Sequence, residues 1–420
     1  MPATRRRFLS WGLSLPALGW ACRTRGDAPA PASPEPAVSA RPEPVRSLLV
    51  LGGTRFLGPA VVDEALAAGL EVTLFNRGKS DPDAYSELET LIGDRDPDVG
   101  AGLSALEGRS FDAVIDTSGY FPRHVRASAE RLAPRVGQYV FISSISAYAT
   151  HDHPGDDEQA PLATLDDPTV ESMGDQFQNY GGLKALCEQA AEAAMPGRVA
   201  NVRPGYIVGP RDPSDRFTYW PVRMARGGDV LVPGEQRDPL QIIDVRDLGR
   251  WLVQLVTTRT AGVFNAVGPQ QPTTWGAVVD ACRAASSSDA RLVWASTEFL
   301  RAHADEDAPP PLPIWAPPSG ETAGFDRYSN ARAVAAGLTT RSLEQTAADT
   351  LAWFQSQPPE RREALRSGLP PEQEQALLAE LAKSREVAAG PPVRRTSPLP
   401  GPWPARGLGG PAWSRAAAYG

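Results

Sequence analysis

Lysine is scarce in this chain: of 42 basic residues only Lys79, Lys184 and Lys383 are lysine, so a lysine in a chemically suggestive place carries information. Cysteine is as rare. Cys22, Cys187 and Cys282 show no Cys-x-x-Cys or Cys/His spacing, which excludes a disulfide framework and a zinc site and leaves the redox compartment unread. A basic excess is also missing. The 42 basic residues face 50 acidic ones, for a net charge of −8 and a pI of 5.3. That balance argues against a general nucleic-acid binder, which needs cations to neutralise phosphates. Glycine (38) and proline (42) together stay below the share that marks a wholly disordered chain, so their excess is local. What remains is length: 420 residues are ample for a buried core and for more than one domain.

The ends differ from the middle. Residues 1–26 hold Thr4-Arg5-Arg6-Arg7-Phe8-Leu9-Ser10 and then a mildly apolar stretch, Trp11 to Ala21, too short and proline-interrupted to cross a bilayer as a stable helix. This resembles a twin-arginine (Tat) signal, a receptor-read address rather than an anchor, and implies export to the periplasm with the Tat translocase as a transient partner. Leu18-Gly19-Trp20-Ala21-Cys22 is similar to a degraded lipoprotein box, so lipidation at Cys22 stays open. Residues 27–45 are an Ala/Pro-rich tether. Pro371 to Glu386 reads as a helix with Leu377, Leu378 and Leu381 on one face, and 388–420 as a disordered Pro/Gly-rich tail.

Between these ends, short β-branched runs alternate with helical patterns: Ser47–Leu51, Glu71–Phe75, Thr90–Ile92, Phe111–Asp116, Gln138–Ser143 and Arg198–Arg203. Such alternation predicts βαβ units, an α/β fold with a Rossmann-like, doubly wound parallel sheet over 46–205 and a smaller substrate-binding region over 206–387. The first unit is the most informative. Leu48 to Leu51 runs into Gly52-Gly53-Thr54-Arg55-Phe56-Leu57-Gly58, and Pro59 to Leu70 follows as a helix closed by Gly69. Glycines let the backbone approach a pyrophosphate, whose charge the helix N-terminus stabilises.

On these residues the chain resembles, from about Ser47 to the 350s, the extended short-chain dehydrogenase/reductase superfamily, in particular its NAD(P)-dependent epimerase/dehydratase branch. The Gly-x-x-Gly-x-x-Gly fingerprint falls on Gly52, position 55 and Gly58, with Arg55 departing from it. That form is similar to an atypical subgroup that includes chloroplast stem-loop RNA-binding proteins and isoflavone reductase-like proteins. The resemblance implies that Gly52, Gly53, Thr54, Arg55, Phe56, Leu57 and Gly58 bind a dinucleotide. The second strand ends in Asn76-Arg77-Gly78-Lys79 rather than in the acid that holds NAD ribose hydroxyls. Arg77 can pair a 2′-phosphate, which favours NADP over NAD as the cofactor. Gly93-Asp94-Arg95 resembles the adenine-side loop, Thr117 and Ser118 the turn along the cofactor, and Pro204 the segment that crosses from nicotinamide to substrate.

Tyr180-Gly-Gly-Leu-Lys184 places a phenol and an amine at i and i+4, on one helix face. With nine tyrosines and three lysines in the chain, chance seldom produces that spacing. A lysinium beside a tyrosine stabilises the phenolate, making the phenol a usable base near neutrality, and can hold the nicotinamide ribose. Gly181 and Gly182 cost about 1 kcal/mol each relative to alanine in a helix, tolerable where backbone lies close to a ligand. The resemblance puts the catalytic serine at Ser144, with Ser143 as the alternative, to orient the reacting oxygen for transfer of its proton to Tyr180. The acidic loop His151 to Glu158 is expected at the rim of the site, and no metal is assigned to its His-x-His.

Arg237-Asp-Pro-Leu-Gln-Ile-Ile-Asp244-Val-Arg-Asp247 resembles the family block whose arginine faces a nucleotide-sugar diphosphate, so Arg237, and more weakly Arg211, are expected at the substrate. Trp220, Trp251, Trp275, Trp315 and Trp353 are read either as core or as the lining of an apolar pocket. The leading expectation is an epimerase/dehydratase-type enzyme acting at a hydroxyl or keto carbon of a sugar-like substrate. The second is an NADPH reductase of an aromatic or small carbonyl compound, and the third a non-catalytic nucleotide- or RNA-binding scaffold. Partners are a small-molecule substrate and, as one arrangement, a second copy in a homodimer, with no nucleic acid expected.

Overall fold

In the computed structural model the described residues are 43–81, 84–175, 177–303 and 312–389. The chain divides into two units at Glu43/Pro44. The segment that resembles a twin-arginine signal, Cys22 and nearly all of the stretch read as an Ala/Pro tether lie outside the described residues, as do residues 390–420.

Six β-branched or leucine-rich runs form parallel strands: β1 (Ser47–Leu51), β2 (Glu71–Asn76), β3 (Glu89–Ile92), β4 (Phe111–Asp116), β5 (Val136–Ile142) and β6 (Val199–Pro204). With a later strand, Gly262–Ala266, they make one seven-stranded sheet in the order Gly262–Ala266, β6, β5, β4, β1, β2, β3. Every pairing in it is parallel. The chain starts at β1, winds outward to β3, then crosses to β4 and winds the other way. The switch point therefore lies between β1 and β4, where ligands bind beyond the carboxyl ends of the strands.

Both faces of β1 are buried, which its unbroken leucine/valine run requires. Leu48 and Val50 pack with Val61 and Val62 of α1 (Leu57–Ala67) and with Leu248, Trp251 and Leu252 of the helix Val245–Thr257. Leu49 and Leu51 face the other way, toward Val125 and Ala129 of α2 (Pro122–Leu132) and Cys187 and Ala191 of α3 (Tyr180–Ala194). The first layer is closely fitted, because a Cβ on Gly249 would stand 2.8 Å from the Ala60 backbone.

The change of region expected near 205 is not a single cut in sequence. Val245–Thr257 and Gly262–Ala266 return to the first sheet, while a second core gathers Trp220, Trp275, Val230 to Val232, Ala347 and Leu377. Trp220 and Trp275 meet edge to face at 4.8 Å there. Trp220, Trp251 and Trp275 are thus core residues, and none of the five tryptophans lines the cleft described below. The helix Pro371–Ala389 adds Leu377 and Leu381 to that second core.

Candidate active site

A cleft of about 760 Å3 opens at the switch point. Its floor is the turn after β1. Gly52 and Gly53 have φ of 110° and 92°, and a Cβ on either would collide, with Thr117 Oγ1 at 2.5 Å or with Leu74 Cδ2 at 2.9 Å. A Cβ on Gly58 would stand 2.5 Å from the Gly53 carbonyl carbon, so turn and helix start are in backbone contact. Phe56, at φ 45°, begins α1 without a side-chain cap. The helix start, on the cleft, thus has N–H groups for an anion to take. Bare turn, uncapped helix and switch-point cleft fit the diphosphate of a dinucleotide.

All fourteen residues expected at the cofactor line this cleft or build its floor. Gly52, Gly53, Thr54, Arg55, Phe56, Leu57, Asn76, Arg77, Asp94, Arg95, Thr117, Ser118 and Pro204 line it, and Gly58 supports the turn from behind. Arg77 is exposed, and no carboxylate pairs with it among the described residues. Arg95 is in a different state. Its guanidinium meets Asp116 at 2.6 and 2.8 Å and also donates to Ser118 Oγ and Ser128 Oγ. Burial works to raise the Asp116 carboxyl, but the charge and hydrogen bonds of Arg95 outweigh it and hold the group below the usual carboxylate range. Arg95 is therefore a brace between the β3 loop and the end of β4, with its charge already neutralised.

The proposed catalytic groups converge on the same cleft. β5 ends at Ile142, and Ser143 and Ser144 follow before a short turn of helix, Ile145–Ala147. Ser144 Oγ accepts from Ser146 N at 3.1 Å. The Ser143 hydroxyl is buried with no partner among the described residues. Burial pushes the Tyr180 phenol above its ordinary range, while a hydrogen bond with Ser144 and the charge of Arg216 oppose that rise. Lys184, one turn along α3, is buried and donates to the carbonyls of Gly119 at 2.7 Å and Ile142 at 2.6 Å. Its ammonium lies over the rings of Phe141 (4.4 Å) and Tyr120 (5.3 Å). Burial pulls its pKa down to about 8.

Several expectations need correction. Gly181 and Gly182 answer to protein packing, since a Cβ on Gly181 would stand 2.1 Å from the Ser146 carbonyl oxygen and one on Gly182 2.6 Å from Leu165. The substrate arginines do not reach the cleft. Arg237 is 86% exposed and paired with Glu235 at 2.8 Å, and Arg211 is exposed at φ 71° beside Tyr85. The loop His151 to Glu158 does not line the cleft either. Gly155 N donates to Arg327 O and Asp156 O accepts from Ser329 N, while His151 Nδ1 bonds Tyr328 Oη at 2.6 Å. The loop thereby holds the segment 322–329, which brings Phe325 into the cleft.

Sequence reading missed Tyr120, Phe121, His124, Tyr206, Arg216 and Phe325, which line the same cleft. Tyr120, Phe121 and His124 directly follow the Thr117-Ser118 turn and could have been found by extending it. Phe325 carries no local signal.

The model of the NAD dependent epimerase/dehydratase family matches residues 48–267. Among curated proteins, the chain is 27% identical over 255 residues to the chloroplast stem-loop binding protein of 41 kDa b of Arabidopsis thaliana. That match covers 56% of this chain and 62% of the plant protein, less than two thirds of its length. It is 29% identical over 241 residues to the epimerase family protein SDR39U1 of Bos taurus, covering 54% and 76%. Among solved structures it is similar to UDP-N-acetylglucosamine 4-epimerase from Bacillus cereus, at 14% identity and TM-score 0.54 over 74% of this chain and 98% of that one. It is also similar to the Bordetella bronchiseptica enzyme WbmG in complex with NAD and UDP, at 15% identity and TM-score 0.55 over 76% and 96%. At these identities the solved structures establish the fold.

Proposed function

The chain belongs to the NAD dependent epimerase/dehydratase family, and from that premise we propose that it oxidises and re-reduces a hydroxyl-bearing carbon of a small, sugar-like molecule. The observation that carries this reading is that Ser144, Tyr180 and Lys184 line the same cleft as the turn Gly52 to Leu57. Converting a carbinol to a carbonyl removes one proton from oxygen and one hydride from carbon. Tyr180 is the acceptor of the proton, and Ser144 orients the oxygen that gives it up. Lys184, fixed by two carbonyls, has a third N–H to offer a ribose hydroxyl, while the charge that opposes the rise of the Tyr180 phenol is that of Arg216 rather than of Lys184. The Gly52–Gly58 turn and Thr117-Ser118 would hold NAD(P), which would supply hydride-accepting and hydride-returning chemistry when bound. Reversal of the proton step, with Tyr180 as donor, completes an epimerase or dehydratase cycle with no net consumption of reductant.

Arg77, unpaired by any carboxylate among the described residues, favours NADP. The proposal extends to export, because chemistry that returns its hydride in each cycle suits a chain whose Arg5-Arg6-Arg7 segment resembles a twin-arginine signal. A second reading, reduction of an aromatic or small carbonyl compound, draws support from Tyr120, Phe121, Tyr206 and Phe325 in the cleft and from Arg237 lying outside it. The test is mass spectrometry of nucleotide released from natively purified protein. Near one NAD(P) per chain is expected, and protein that neither carries nor takes up NAD(P) removes the reading.

A further inference from the structure

The loop from Gly209 to Phe217 is built so that its acids face the protein and one arginine faces the cleft. Asp212 accepts from the Ser214 backbone N–H at 2.8 Å and from its hydroxyl at 2.6 Å. Asp215, fully buried at φ 59°, is bound by Arg361 and by the Arg366 N–H at 2.9 Å. Neither carboxylate forms an ion pair with Arg216, although its charge acts on Asp212, and no other carboxylate pairs with it among the described residues. Arg216 Nε donates to Ser214 Oγ at 3.1 Å, and its guanidinium lies 5.5 Å from the ring centre of Tyr206. Tyr206 meets Phe325 edge to face at 5.5 Å. All three line the cleft, at the end where Tyr180 stands.

A guanidinium over an aromatic face with no direct ion pair is a fork for a planar oxyanion. The expected cation for a nucleotide diphosphate is elsewhere, since Arg237 points to solvent beside Glu235. Space agrees. Pockets for one drug-sized ligand run to about 300–1,000 Å3, and the 760 Å3 here must accommodate a dinucleotide before any substrate. We propose that Arg216 is a specificity-determining residue that binds an oxyanion, and that the substrate is a small carbinol or ketone bearing a carboxylate or phosphate, its apolar body against Tyr206 and Phe325. This rests on the reading above only in taking the Tyr180 end as the substrate end.

The test is calorimetric binding of benzoate, phenyl phosphate, uncharged benzamide and UDP to the full chain, with NADPH affinity measured on the same samples. Benzoate or phenyl phosphate is expected to bind about 10- to 100-fold more tightly than benzamide. Whichever binds more tightly identifies the oxyanion. Arg216→Gln should bring the oxyanion probes down to the benzamide level with NADPH affinity unchanged, and Arg216→Lys should keep part of the preference. Benzamide binding as well as benzoate, an Arg216→Gln variant with full benzoate affinity, or UDP binding that depends on Arg237 would each overturn the proposal. Loss of NADPH binding in the parent chain is a separate result: it removes the enzymatic reading while the benzoate series still decides the role of Arg216.

Discussion

Arg95 and Asp116 are joined by two hydrogen bonds, at 2.6 and 2.8 Å, with the carboxylate fully buried at the end of β4. The pair ties the loop after β3 to the strand on the far side of β1, joining two segments that border the cleft. Asp116 also accepts from Tyr139 Oη at 2.7 Å and from Ser118 N at 3.0 Å. Removing the cation leaves a buried carboxylate with only neutral donors, which costs about 3–5 kcal/mol. Arg95→Leu is therefore expected to lower the urea midpoint by that equivalent, and Arg95→Leu with Asp116→Asn to recover part of it. An Arg95→Leu chain as stable as the parent would show that the pair is not a brace.

Tyr180→Phe tests the chemistry with little change of structure. It removes one hydroxyl and the interaction with Ser144 that opposes the rise of its pKa, a net loss of about 1 kcal/mol or less in stability. Proton transfer by a positioned side chain contributes about 100- to 10,000-fold to rate. Turnover of any identified substrate should fall within that range while the thermal midpoint moves little. Turnover close to that of the parent would remove Tyr180 from the reaction.

What could be read from sequence was what is local in sequence. The β1 turn and Tyr180/Lys184 each combine in a few residues the types and spacing that their chemistry needs, and the strand alternation fixes the sheet around them. What could not be read depends on contacts between distant segments. Phe325 reaches the cleft because the loop His151–Glu158 holds the segment that carries it, and no pattern near Phe325 encodes that docking. Arg237 sits in a block that resembles a substrate motif, yet Glu235 two residues away competes for its charge in the open. Arg216 has no ion pair among the described residues because Asp215 is taken by Arg361 and the Arg366 N–H and one oxygen of Asp212 by Ser214.

Gly181 separates packing from propensity. In an isolated helix, alanine in place of glycine gains about 1 kcal/mol. Here a Cβ would stand 2.1 Å from the Ser146 carbonyl oxygen, a backbone atom that cannot swing aside. Overpacking of this kind costs about 1–3 kcal/mol, so the clash wins. Gly181→Ala should be less stable than the parent by thermal denaturation and, because the clash pushes α3 away from the Ser144 turn, slower in turnover. A stabilised Gly181→Ala chain would mean that the helix and the turn are not in contact.

Arg77 decides between the two cofactors. It is exposed on the cleft, so its interaction with a 2′-phosphate replaces bonds to water rather than a buried ion pair. A charge-assisted hydrogen bond contributes about 1.5–3 kcal/mol. Arg77→Ala is expected to weaken NADP binding by that amount in a fluorescence titration and to leave NAD binding unchanged. Equal losses for both nucleotides would make Arg77 a general electrostatic contributor, and the preference for NADP would fall with it.

Lys184 supplies a pH dependence whose sign is fixed by burial. Its pKa in the folded chain is about 8, against 10.5 for the free side chain. Between those values the unfolded chain holds a proton that the folded chain has released, so stability rises with pH across that window. Below pH 8 both states are protonated and the contribution is flat, at its least favourable level. A shift of this size corresponds to about 3 kcal/mol. Lys184→Met removes the titration and also leaves the Gly119 and Ile142 carbonyls without their donor, but that second loss does not vary with pH. Urea unfolding of both chains from pH 7 to 10.5 isolates the slope. The parent should gain on Lys184→Met by up to about 3 kcal/mol between pH 8 and 10.5. A difference that stays constant, or that shrinks as pH rises, would place the lysine in a better-solvated or carboxylate-paired setting than the one described.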